Sequence, residues 1–116
     1  MKFSHSLKLN HVFRRLYTKG LSCANRNLVL YCKRNGTGEN RVGITVSKKL
    51  GCAVVRNRAR RRLRECYRLN EEKLKPGYDV VIVARSRSVD APFSKLQSSF
   101  LSAAGAIGLL REEETE

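Results

Sequence analysis

Between Lys48 and Arg68 the chain carries nine basic residues and one acid in 21 positions, and it carries them on a helical repeat. A helix turns about 100° per residue. On that wheel Val55, Ala59, Leu63, Cys66, Tyr67 and Leu74 share one arc, an apolar stripe that needs a partner surface. Asn57, Arg60, Arg61, Arg64 and Arg68 share the adjacent arc, while Arg58 and Arg62 lie further round on the opposite shoulder. The pattern predicts a long helix over about Val54 to Leu74, closed by Pro76-Gly77, with one packing face and one rail of guanidiniums. Like charges at i,i+3 and i,i+4 destabilise a helix by roughly 0.2–0.5 kcal/mol per pair. Arg60/Arg64, Arg61/Arg64 and Arg64/Arg68 all incur that penalty, with only Glu65 nearby to offset it. A solvated helix face normally mixes charge signs, and this one does not. Arginine also forks onto phosphate oxygens in a bidentate way, so a phosphate polyanion explains the rail better than plain solvation.

The rest of the chain agrees. Lys and Arg total 24 against 10 acids over 116 residues, a formal net charge of +14. Four of those acids (Glu112, Glu113, Glu114 and Glu116) fall in the last five residues, which leaves residues 1–111 at +18, with 24 basic residues against six acidic. Self-repulsion on that scale opposes compaction unless a polyanion relieves it. With 41% hydrophobic residues the chain still has material for one core, so residues 1–111 read as a single domain that binds RNA or DNA, and 112–116 as an acidic, disordered tail. No stretch approaches the roughly 18 apolar residues of a membrane span, and no apolar signal run follows Met1, so no membrane partner and a cytoplasmic location are expected. The cysteines (Cys23, Cys32, Cys52 and Cys66) show no C-x-x-C pairing, which suits buried reduced thiols better than a metal site.

Leu9, Val12, Phe13, Leu16 and Tyr17 recur at helical spacing up to a C-cap at Gly20, predicting a first helix over about Leu9 to Lys19. Strands are expected at Leu21-Ser22-Cys23, at Asn27 to Cys32 and at Arg41 to Ser47, the last two joined as a hairpin by Asn35-Gly36-Thr37-Gly38. A further strand covers Asp79 to Ala84. Asp90 ahead of Pro92 reads as an N-cap to a last amphipathic helix through Phe93, Leu96, Phe100, Leu101, Ala104 and Ile107. The fold expected is α+β, a two-layer sandwich in the order α-β-β-β-α-β-α. Its helices pack on one mostly antiparallel four-stranded sheet, as in ribosomal-protein-like folds.

The wording of the basic segment is more specific than its charge. Arg56-Asn57-Arg58 opening a helix, then further basic residues and an aliphatic, resembles the signature of the bacterial ribonuclease P protein component. Val42-Gly43-Ile44-Thr45-Val46-Ser47-Lys48-Lys49 and Ala53-Val54-Val55 before it also look like that family. Ala24-Asn25-Arg26 with Leu28-Val29-Leu30-Tyr31, and Asp79-Val80-Val81-Ile82-Val83-Ala84-Arg85, match its second block and its late strand. One position departs: Ala59 stands where the family usually has a larger aliphatic.

The resemblance implies a subunit of ribonuclease P, the endonuclease that removes the 5′ leader of precursor tRNA. Catalysis would lie in the RNA subunit, Mg2+ would act through that RNA and the substrate, and no catalytic, metal or obligate protein-partner site would lie on this chain. Composition concurs, because the acids outside the tail (Glu39, Glu65, Glu71, Glu72, Asp79 and Asp90) show no spacing suited to divalent ions. By the same resemblance the catalytic RNA is met by Arg26, Lys48, Lys49, Arg56, Asn57, Arg58, Arg60, Arg61, Arg64 and Arg68. The single-stranded leader is met by Phe13, Tyr17 and Tyr31, with Lys48 as a further candidate. Phe13 and Tyr17 also lie on the first helix's apolar stripe, which suits core packing equally well. The rival is a ribosomal or ribosome-assembly RNA-binding protein, which would share the charge, size and architecture.

Overall fold

The computed structural model describes residues 4–6 and 17–111. The first predicted helix lies outside the described residues except for 17–19, which are helical, and so do Phe13 and the acidic tail. The strands are β1 (Ser4–Ser6), β2 (Leu21–Ala24), β3 (Leu28–Arg34), β4 (Asn40–Thr45) and β5 (Tyr78–Ala84). Two helices, α1 (Ala53–Asn70) and α2 (Phe93–Ala106), complete the expected α+β sandwich.

The sheet order is β1-β4-β5-β3-β2. β5 runs antiparallel to β3 over seven residues, from Leu28↔Ala84 to Arg34↔Tyr78, and parallel to β4, with α1 as the crossover between them. The expected hairpin is therefore absent: β3 and β4 flank β5 rather than each other. Val80, Val81 and Ile82 are all fully buried, so this strand is apolar on both faces and takes the centre of the sheet. An Asn-Gly turn bends the chain locally but says nothing about which strands pair. The three-residue β1, parallel to β4, adds a fifth strand that the sequence did not announce.

The loop between β3 and β4 instead crosses the entry to β5. Asn35 N–H donates to the Gly77 carbonyl at 2.9 Å, and Asn35 Nδ2 donates to Asp79 at 3.2 Å. Gly77 has φ +86°, and a Cβ there would sit 2.6 Å from the Thr37 carbonyl oxygen, so only glycine fits.

Leu28, Leu30 and Cys32 of β3 and Val80, Ile82 and Ala84 of β5 join Ala59, Leu63, Cys66 and Tyr67 of α1 and Leu96, Phe100, Ala103 and Ala104 of α2 in one core. Ala59 is fully buried there, and Tyr67 meets Phe100 edge-to-face at 6.1 Å. After α2 the chain returns to residues 73–75 through a Leu74↔Leu110 bridge and an Arg111 Nε donation to the Leu74 carbonyl.

One boundary differs for a physical reason. Asp90 closes a 3-10 turn, Ser86–Val89, with its N–H on the Arg87 carbonyl, so α2 starts later, with Pro92 as its N-cap residue and no side-chain cap.

Candidate nucleic-acid interface

α1 presents the faces that its periodicity requires. Ala59, Leu63, Cys66 and Tyr67 are fully buried, whereas Asn57, Arg58, Arg61, Arg64 and Arg68 are exposed. Val54, Asn57, Arg60, Arg61 and Arg64 line an open groove of about 410 Å³ on the exposed side. Asn57 Oδ1 accepts from Arg60 at 3.0 Å, which holds that guanidinium along the rim. Arg60, Arg61 and Arg64 have no ion pair among the described residues. A groove with three unneutralised guanidiniums and one amide is suited to a phosphate backbone rather than to base edges.

The remaining rail residues divide. Lys48 and Lys49 stand exposed on a 3-10 turn, Lys48–Leu50, directly ahead of α1; Ser47 Oγ caps it by accepting from Lys49 N–H at 3.2 Å. Arg56 is half-buried, and its Nε has no hydrogen-bond partner among the described residues. Arg68 is paired with Glu65, Nε to Oε2 at 3.0 Å, and that hydrogen bond, reinforced by the guanidinium charge, holds the glutamate below its usual pKa. Arg68 is thus partly neutralised within the protein, unlike the three groove arginines. Arg62, which the wheel sets apart, donates to the carbonyls of Ser88 at 3.0 Å, Val89 and Ala91. It clamps the turn leading into α2 to α1.

The opposite face of the sheet carries the leader-site candidates. Tyr31 pairs with Val81 in register, on the side away from α1 and α2. The Tyr17 ring meets Tyr31 edge-to-face at 4.9 Å, and the Tyr17 hydroxyl is 3.5 Å from Thr45 Oγ1. Tyr17 is 43% exposed and Tyr31 half-buried, so together they present aromatic surface on this side. Phe13 lies outside the described residues.

Arg26 is not in the groove. It lines a separate basin with Arg87 and Lys95, beyond the turn that Arg62 clamps. Sequence reasoning missed Arg87 and Lys95. A signal existed for Lys95, the only charged residue in α2, but nothing local placed it beside Arg26. Among the cysteines, burial pushes the Cys32 and Cys66 thiols up to about 11, as buried thiols should behave. Cys52 corrects that expectation: it is exposed at the N-cap of α1, where the Val55 and Val54 N–H groups lower its thiol pKa.

The chain matches the family described as Ribonuclease P over residues 1–108. It is 48% identical over 101 residues to the ribonuclease P protein component of Alkaliphilus oremlandii, covering 87% of this chain and 89% of that protein. The protein of the same name from Clostridioides difficile is 51% identical over 94 residues, covering 80% and 82%. Among solved structures, the Staphylococcus aureus RNase P protein superposes with a TM-score of 0.81 at 33% identity, covering 92% of this chain and 98% of that one. The Thermotoga maritima RNase P protein gives 0.76 at 28% identity, covering 84% and 93%.

Proposed function

Since the chain belongs to the ribonuclease P protein family, we propose that its α1 groove seats the catalytic RNA while the Tyr17–Tyr31 face receives the 5′ leader of precursor tRNA. As the protein component of ribonuclease P, the chain is a subunit of the tRNA-processing endoribonuclease, and the ribosomal alternative falls away. The observation that carries the reading is the unneutralised trio Arg60, Arg61 and Arg64 in one groove. Lys48 and Lys49 extend that positive surface from the turn ahead of α1. Phosphate contacts of this kind position an RNA without reading its sequence.

Chemistry falls to the RNA subunit on this reading, with Mg2+ held by RNA and substrate. The chain's carboxylates support it: Asp79 is committed to Arg41 through paired contacts of 2.6 and 2.7 Å, and Glu65 to Arg68. Neither is placed to share a divalent ion.

Leader binding on the tyrosine face follows from how single strands are held, by bases stacking on aromatic rings beside a basic track. Tyr17→Ala and Tyr31→Ala are each expected to weaken holoenzyme binding of leader-bearing precursor tRNA, by about 1–3 kcal/mol for each base that no longer stacks, with mature tRNA little affected. Equilibrium binding of the two ligands checks this. Equal losses for both would mean that the rings only pack against Thr45 and the sheet.

A further inference from the structure

The basin around Arg26 lies between the β2–β3 turn, the Ser86–Val89 turn and the first half of α2, and encloses about 750 Å³. Each element contributes one cation: Arg26, Arg87 and Lys95. All three are exposed, and none of their side chains has a hydrogen bond or ion pair among the described residues. The scaffold beneath them is rigid. Asn25 Oδ1 accepts from the N–H groups of Asn27 and Leu28, both at 3.1 Å. Asn25 Nδ2 donates to the Ser99 carbonyl at 3.0 Å, and Asn27 Nδ2 donates to Ser99 Oγ at 2.7 Å. Both asparagines thus tie the turn down to α2 on either side of Arg26, which is itself exposed on the basin. Lys95 stands one helical turn before Ser99. Arg87 is held in a turn fixed by Ser88 Oγ on the Arg85 carbonyl at 2.7 Å and by the Arg62 clamp on the carbonyls that follow.

Three cations from three elements converge on one concavity, and the structure offers little to neutralise them. Asp90 also lines the basin but pairs with none of them. The 14-residue α2 begins at the basin's edge, so its positive end adds to the same field. Arginine and lysine around a polar floor of asparagine and serine form a cradle for a tetrahedral oxyanion.

We propose that this basin is a second phosphodiester-binding site, separate from the α1 groove, in which Arg26, Arg87 and Lys95 hold one backbone phosphate of an RNA. It takes from the proposed function only that the chain works among RNAs, and it does not depend on the groove. Two RNAs of the holoenzyme offer the same phosphate chemistry, the catalytic RNA and precursor tRNA.

The test is the salt dependence of binding. Each phosphate contact adds about 0.9 to the log–log slope for a duplex and about 0.7 for a single strand. The Arg87→Gln/Lys95→Gln variant, with Arg26→Gln as a second, is titrated in two arms: free protein onto catalytic RNA, and reconstituted holoenzyme onto precursor tRNA. A slope lower by about one unit in either arm supports the site, and the arm that responds identifies the RNA. Asp90→Asn is expected to tighten binding of that same RNA, which a loss of folding cannot do. Wild-type slopes in both arms for both variants would overturn the proposal. An Arg60/Arg61/Arg64 variant run in parallel reports on the groove alone, so failure of the basin and failure of the groove are separately visible.

Discussion

Replacing Arg60, Arg61 and Arg64 together by glutamine is expected to flatten the salt dependence of catalytic-RNA binding by two to three units, at about 0.9 for each phosphate no longer neutralised. Affinity at physiological salt should fall on the order of a hundredfold as a consequence. The stability of the free protein should move the other way. The three arginines repel along one helix face, and their only side-chain bond among the described residues is the Arg60–Asn57 contact at the surface. Removing like charges at i,i+3 and i,i+4 is expected to raise stability by a few tenths of a kcal/mol, about 0.2–0.5 per pair. Weaker binding with an equal or higher melting temperature is a combination that general damage does not produce. If the log–log slope matches wild type, the groove is a solvated surface and the assignment fails.

Arg62 should behave in the opposite manner although it directly follows Arg61 of that groove. Its guanidinium serves the carbonyls of Ser88, Val89 and Ala91, and Ser88 is fully buried. A buried acceptor left without its donor costs about 1–3 kcal/mol. Arg62→Ala is therefore expected to destabilise by about 3–4 kcal/mol, a fall of roughly 10–20 °C in Tm by thermal melting. Arg62→Lys should restore little, because an ammonium on a flexible stem cannot present the planar fork that reaches several carbonyls at once. Below the melting transition the salt slope for catalytic RNA should remain that of wild type. A stable Arg62→Ala protein with a flattened slope would place Arg62 on the RNA rail instead.

These two contrasts show how far a helical wheel carries. Periodicity separates Arg60, Arg61 and Arg64 from the buried Ala59, Leu63 and Cys66, because which face a residue occupies depends only on its spacing along α1. It also sets Arg62 apart. It cannot say what Arg62 holds, since the Ser88 carbonyl is 26 residues away in the chain. Asp90 shows the same boundary. Its N-cap chemistry is legible, but the 3-10 turn Ser86–Val89 ends on Asp90, and α2 begins after Pro92, too far on for Asp90 to cap it.

What the amino-acid sequence determined by itself was local: strands β2 to β5 and helices α1 and α2 within a few residues, the two faces of α1, the charge that calls for a polyanion, and a wording that fits one family. These follow from side-chain spacing and net charge, which need no knowledge of which segments meet. Tertiary structure decided the rest. It put β5 between β3 and β4, because the strand that is apolar on both faces is best shielded from water at the centre of the sheet. It set Tyr17 against Tyr31 on the face away from the helices. It also gathered Arg26, Arg87 and Lys95 around one basin. Such convergence is a property of packed surfaces far apart in the chain, and no repeat or spacing encodes it.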